Sequence, residues 1–493
     1  MYDALADYAS VSPAALTILR VGYGVLLLLT LAEALPQARR FFTTETYDGY
    51  LDASPLRDRV LHPAGTPLLL LVWWASAFAI LFDAYMLPAT AINACLCYWF
   101  FIHTRWTGIL RGMGAPGFMT WWIGMLELFL SVGREIDPTG LVQHATVTAF
   151  RVDFAAIFFC AGLYKATAGY RKGDGMELGM VNPWWGYFWK LVLKTPPKNP
   201  VYTLFNTLAY TVQMSAATMM LFPATREIGA VMIAISFFGI SLQIRLGFLC
   251  EMVVLCTVLF WGQGSWLVEA LGAQTWVAAP PPFLAGPAST AALVVTGLLL
   301  AYTALLPFAK GGLYANFYFS KRLWGPLQTL LERYTNLFGL IIWRVFTVDV
   351  VMFFNDIEIV NRETGEVRTY ARPGKLDWSS RFRYLHVGEF VCLASLFTTL
   401  KYHPSQRHLF EGKLIRYART VHRPAGWNVR FTYKLIDKQE RNFAFRAVHV
   451  FEVDPDARTI QETVLDPSAN LSVGHASSPV REGVRPGSYA PVS

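Results

Sequence analysis

The side chains with the most chemical potential in this sequence are ionisable groups set inside long apolar runs. They are Arg20, Glu33, Glu127, Arg151, Asp153, Lys165, Arg245 and Glu251. An ionisable group in lipid costs roughly 3 kcal/mol or more, so it turns toward a bundle interior and takes a partner. Glu33, Arg151 and Lys165 fall near the ends of their runs, where a long side chain also reaches the interface. Arg20, inside Leu19-Arg-Val-Gly-Tyr-Gly24, is too deep for that. It is expected to pair with Glu127 or Glu251 across the bundle, in an ion pair that is structural or functional. Arg151 and Lys165 are 14 positions apart. At about 100° per residue they share one helix face and mark opposite ends of an interior stripe. A lysine at the mouth of an apolar bundle, removed from water, supplies neutral amine, a competent base. Tyr164, Tyr170, Trp184, Trp185, Tyr187 and Trp189 surround it in sequence. They suit a pocket for a flat apolar ligand such as a quinone, although the plainer reading is an interfacial aromatic belt.

Other chemistry finds little footing. The six cysteines lie in apolar surroundings and read as small hydrophobes. Cys95-Leu-Cys97 has no neighbouring thiol or imidazole to complete a zinc site. His386, His403, His408, His422 and His449 lack metal-site spacing, so no metal is expected. The net charge of +8 comes from basic residues in loops between apolar runs. In that position they set topology or meet anionic lipid, which argues against nucleic acid as a partner.

The elements that must position these groups are helices in a bilayer. Hydrophobic residues make up 54% of the 493 and charged residues only 15%, whereas a soluble domain carries about 25% charged residues. Apolar runs near 14–35, 67–83, 85–103, 118–133, 147–165, 201–222, 228–246, 247–262 and 289–308 predict about nine transmembrane helices. The sequence shows no cleavable signal peptide. Arg245-Leu-Gly247 splits the seventh and eighth runs at a tight turn or helix break. Residues 1–308 thus form a helical membrane domain. Residues 309–345 alternate basic and apolar positions and predict an amphipathic helix on the membrane surface.

Residues 346–465 predict a small C-terminal α+β extramembrane domain. It has two strands around a Gly turn in 357–370, helical spacing over 376–402 and a few antiparallel strands in 413–463. The tail from 466 to 493 is rich in Ser, Pro and Gly, a composition that does not pack. With nine spans, the odd-numbered loops hold 12 Lys and Arg and the even-numbered ones 2. That asymmetry places the odd loops and the C-terminal domain in the cytoplasm.

Four stretches resemble the vitamin K-dependent γ-glutamyl carboxylase and its bacterial relatives, the HTTM (horizontally transferred transmembrane) proteins. The first is Leu19–Gly24 followed by Tyr47-Asp-Gly-Tyr-Leu-Asp52. The second is Phe150–Lys165, which matches the family's Ala-Gly-x-x-Lys helix without a gap. The third is Ser241-Leu-Gln-Ile-Arg-Leu-Gly-Phe248. The fourth is Ile359–Pro373 with Trp378 after it, similar to the carboxylase's post-membrane strands. The resemblance implies that Lys165 is the base that deprotonates a reduced vitamin K-like quinone. Arg20, Arg151, Tyr164, Trp184, Trp185 and Gln243 are its substrate-binding candidates. A multi-pass place in a bacterial plasma membrane is also implied, with a small quinone or a peptide as substrate.

The departures bear on the chemistry. Gly114-Ala-Pro-Gly-Phe-Met-Thr120 stands where the family has an Asn-His pair, and Phe237-Phe238 where it has Phe-His. The chain also stops soon after the strands, so a propeptide-bearing substrate is not expected. The family places its Lys loop on the lumenal face, opposite to the charge count. Two functions remain: a divergent membrane enzyme using Lys165, or a non-catalytic relative acting in peptide or toxin maturation through a partner. A transporter ranks below both, since the sequence has no internal repeat and only one helix break, at Gly247.

Overall fold

A computed structural model gives the fold. It describes residues 2–103, 114–270, 287–318, 323–335, 337–338, 351–371, six positions between 390 and 400, and 407–468. Twelve principal helices are labelled in chain order. They are α1 (Tyr2–Tyr8), α2 (Pro13–Ala34), α3 (Gly65–Leu81), α4 (Met86–Cys97) and α5 (Gly114–Ile136), then α6 (Leu141–Thr167), α7 (Pro200–Met220), α8 (Arg226–Gln243) and α9 (Leu249–Thr257), and last α10 (Thr290–Tyr318), α11 (Gly325–Thr335) and α12 (Arg407–Thr420). Local chemistry sets several of their ends. Pro13 and Pro200 start α2 and α7, where a missing N–H costs nothing. Asn199 caps α7 by accepting from the Val201 N–H at 3.0 Å. α8 stops at Gln243 because Ile244 is extended and bridges Gly186. Gly247 then turns with φ +58, a conformation that suits glycine.

Every expected apolar run contains a helix, but the count of nine spans is corrected: among the described residues four helices are long and apolar enough to cross a membrane, Pro13–Ala32, Leu141–Lys172, Arg226–Gln243 and Thr290–Ala315. The reason is length and polarity. Leu249–Phe260 rises only about 18 Å at 1.5 Å per residue, against a hydrocarbon core of about 30 Å. α7 is longer, but Asn206, Thr207, Thr211, Gln213 and Ser215 interrupt its apolar surface.

α6 is the centre of the bundle and packs against α1, α5, α7 and α10. Its partners meet it at two ends. At one end Ser289 Oγ donates to the Ile136 carbonyl at 2.9 Å, and Arg134 pairs with Asp83 at 2.9 Å. At the other end Tyr314 of α10 and Thr167 of α6 share a hydroxyl hydrogen bond of 3.2 Å. α6 and α10 therefore run the same way.

The C-terminal domain is a five-stranded antiparallel sheet in the order β2-β1-β3-β4-β5. Its strands are β1 (Phe353–Asn361), β2 (Val367–Ala371), β3 (Trp427–Lys438), β4 (Phe443–Asp454) and β5 (Thr459–Val464). Gly365, with φ +68, sits in the β1–β2 turn. Trp427, Val429, Phe431, Tyr433 and Leu435 of β3 alternate inward. α12 covers this face, with Phe410 against Phe451 and Tyr417 against Phe431.

Two boundaries differ from expectation. Residues 407–420 are helical where strands were expected from 413. Their apolar side chains Phe410, Leu414, Tyr417 and Ala418 recur at helical spacing and are buried. The surface helix expected over 309–345 does not start at 309. α10 continues through Pro307 to Tyr318, and α11 follows as a separate element. Most of 376–402 and the tail beyond 468 lie outside the described residues.

Candidate functional site

Lys165 lies near the C-terminal end of α6 and is 4% exposed. Its Nζ donates to Gln213 Oε1 of α7 at 2.7 Å. Among the described residues no carboxylate stands within ion-pair distance of it. Gly162, one helical turn earlier, makes the contact reachable. A Cβ at that position would fall 2.6 Å from Met214 Cγ and 2.9 Å from the Tyr210 carbonyl oxygen. Only glycine lets α7 come this close, and the close approach carries Gln213 to the amine. Gln213 is fully buried, and its Nε2 has no hydrogen-bond partner among the described residues. A buried donor without an acceptor is costly, by about 1–3 kcal/mol, unless something fills its valence.

A second ionic centre sits further along α6 and was missed in the sequence. Asp153 Oδ1 pairs with Lys310 of α10 at 3.2 Å, each side chain 2% exposed. Trp122 Nε1 of α5 donates to Asp153 Oδ2 at 2.9 Å, and the Tyr302 hydroxyl donates to Oδ1 at 3.3 Å. Asp153 was visible as an intramembrane acid, but Lys310 was assigned to the surface segment beyond the last span. The signal that could have found it is the unbroken helical spacing of apolar residues on both sides of Pro307.

The other sequence-derived candidates go to different places. Arg20 is corrected: its Nη1 donates to the Ile80 and Leu81 carbonyls at 2.9 and 2.7 Å, and its nearest described carboxylate is Asp83 at 3.9 Å, not Glu127 or Glu251. It caps the end of α3, whose last carbonyls lack helical partners. Arg151 donates to the carbonyls of Leu259, Ser10 and Tyr8. It ties α6 to the chain ends opposite Lys165, which is structural work. Tyr164, half-buried, precedes Lys165 on α6.

Trp184, Trp185 and Gln243 lie on two chain segments, 184–187 and 243–245, that are hydrogen-bonded to each other. The Tyr187 N–H donates to the Gln243 carbonyl at 3.0 Å, and the Arg245 N–H to the Trp185 carbonyl at 2.7 Å. Trp184 stacks on Phe390 with ring centroids 5.1 Å apart. Asn182 Nδ2 donates to the Val351 and Phe353 carbonyls, both at 2.8 Å. These residues thus form the seam between the helical bundle and the sheet domain. Lys438 of β3 extends that seam by pairing with Asp174 at 2.8 Å and with the buried Glu177 at 2.7 Å.

No family model matches the sequence, and no curated protein or solved structure matches the chain.

Proposed function

We propose that the protein is an integral, multi-pass membrane enzyme in which Lys165 acts as base on a lipid-soluble hydroquinone, as a divergent relative of the carboxylase-type HTTM proteins. A bacterial plasma membrane is the compartment this kinship implies. In this reading the four long apolar helices cross the bilayer, and the shorter apolar helices complete the bundle within the same layer.

One observation carries the reading: a buried lysine with no counter-ion among the described residues, held by a carboxamide oxygen. The arrangement suits proton transfer. Nζ takes the proton of a phenolic hydroxyl, and the O–H electron pair stays on the quinol oxygen. Gln213 Oε1 holds the ammonium so formed. Gln213 Nε2, buried and unpartnered, is the donor for the oxygen left negative. Dioxygen is the acceptor for the two electrons of the deprotonated quinol. Phe238, where the family it resembles has a histidine, is 59% exposed. A phenyl ring carries no proton, so the proposed activity stops at quinol oxidation and does not extend to glutamate carboxylation.

The test is binding and aerobic oxidation of reduced naphthoquinone by purified protein in lipid, wild type against Lys165→Ala. A general base contributes about 10²–10⁴-fold. The expected result is saturable binding in both proteins, with oxidation reduced at least about 100-fold in the variant. Oxidation that is unchanged in Lys165→Ala overturns the assignment. The second reading is a non-catalytic membrane protein acting in peptide or toxin maturation. The Phe237-Phe238 pair favours it, and it expects Lys165→Ala to be tolerated in every assay.

A further inference from the structure

α8 is long and apolar enough to cross a membrane. Its exposed side chains are Ile228, Ile235, Phe238 and Leu242, all apolar. Where α8 ends, another part of the chain meets it. The Tyr187 N–H donates to the Gln243 carbonyl at 3.0 Å, and Gly186 bridges Ile244. Residues 188–199 start from that contact and end at Asn199, which caps α7. The segment therefore starts at the level where a spanning helix stops.

β4 holds one side of this segment. Trp189–Val192 forms a single helical turn in which Val192 is buried. The Phe443 N–H donates to the Leu193 carbonyl at 3.0 Å, and the Trp189 ring lies 5.6 Å from Phe445. The other side faces outward. Its exposed residues are Phe188, Lys190, Leu191, Lys194, Pro196 and Lys198, with Phe188 43% and Leu191 68% exposed. No acid occurs from 188 to 199. Lys190 lies over the Trp189 ring, 5.6 Å from its centroid. Among the described residues no carboxylate stands within ion-pair distance of Lys190, Lys194 or Lys198. By contrast Arg362, Arg407, Arg419 and Lys438 of the sheet domain each pair with a carboxylate.

We propose that the face 188–198 docks on anionic phospholipid headgroups. Lys190, Lys194 and Lys198 take the phosphates, and Phe188 and Leu191 enter the margin of the hydrocarbon. The inference rests on the membrane reading above. Three ammonium groups without acids, set beside exposed apolar side chains, match a surface that offers both anionic headgroups and acyl chains. A lysine stem lies along the apolar margin and keeps its charge at the headgroup level. An acidic protein surface would answer the lysines but not the apolar band of α8, which reaches Leu242 beside them.

Spin-labelled lipids test this. The full chain is reconstituted into phosphatidylcholine bilayers carrying a trace of phosphatidylglycerol or of phosphatidylcholine, each with a nitroxide near the acyl-chain terminus. Lipid held at the protein surface tumbles slowly, and its share is read from the spectrum. The expected result is a preference for phosphatidylglycerol of at least about two-fold, weakened by high salt. The preference should fall to about one in the triple variant Lys190→Gln, Lys194→Gln, Lys198→Gln and persist when the same three lysines become arginine. All three positions are exposed, so the thermal unfolding midpoint should not move. A triple glutamine variant that keeps the wild-type preference overturns the site. So does a wild type with slow lipid of both kinds and no preference; binding of polyglutamate that needs the three lysines would then assign the face to an acidic protein. If neither lipid shows a slow fraction, the membrane reading itself fails and this inference with it.

Discussion

At the scale of single residues the site depends on a glycine as much as on a lysine. Gly162 admits α7 to within contact of α6, and Gln213 then reaches Lys165. Gly162→Leu is expected to cost about 1–3 kcal/mol by overpacking and to lower quinol oxidation at the same time, because Gln213 is pushed from the amine. Gln213→Leu removes one hydrogen bond, worth about 1 kcal/mol. It should lower oxidation with little loss of stability. Thermal unfolding and oxidation rates measured on both variants separate the two effects. Equal unfolding losses in the two would mean that Gln213 is a packing residue only.

At the scale of elements the Asp153–Lys310 pair fixes α10 against α6. Removing one partner of a buried pair costs about 3–5 kcal/mol, because the other charge is stranded, whereas removing both is often neutral. Lys310→Met is therefore expected to be severely destabilising, and the Asp153→Asn, Lys310→Met double variant is expected to recover most of the loss. Denaturant unfolding of the single and double variants checks this. A double variant no better than Lys310→Met would show that the carboxylate is held by Trp122 and Tyr302 and not by the lysine. β5 offers a pH prediction outside the bundle. Hydrogen bonds from Ser468, then the contact with Arg446, hold the Asp466 carboxyl below its usual range. The contribution is present above about pH 3.9, the ordinary value, and is lost as pH falls through the lower folded value. Asp466→Asn should flatten that acid limb of stability, read as the unfolding midpoint between neutral and acid pH.

At the scale of the whole molecule the sheet domain is held to the bundle by an acidic loop. Arg416 of α12 pairs with Glu45 and Asp52, and Arg419 pairs with Asp48. Arg40 lies among the rings of Phe41, Tyr50, Tyr370 and Tyr417, all within 5.3–5.7 Å. The ion pairs are partly exposed, each worth at most about 1 kcal/mol and screened by salt. The Arg40 contacts are less so. High salt should therefore loosen the domain only in an Arg40→Ala background, seen as faster proteolysis between bundle and sheet. Equal cleavage of the two proteins at high salt would discount Arg40 as the anchor. The segments after α2 and after α6 both touch the sheet domain, so they lie on one side of the bundle.

Apolar runs, the break at Gly247, the β1–β2 hairpin and the alternation of β3 are legible in the sequence because each is set by near neighbours. A run of side chains decides hydrophobicity, a glycine decides a turn, and a period of two decides a strand face. Lys165 is legible for the same reason, as a charge in an apolar run. The four-helix limit on spanning length follows from where each helix starts and stops, which caps and turns decide residue by residue. The partners are another matter. That Lys165 meets Gln213, that Arg20 caps α3, that Lys310 turns inward to Asp153 and that Phe338 lies beside Phe150 are contacts between residues 48 to 188 positions apart. No local pattern encodes them. Only the packing of the helices against one another brings those atoms within hydrogen-bond or ring-contact distance, and close packing then fixes which partners each buried charge reaches.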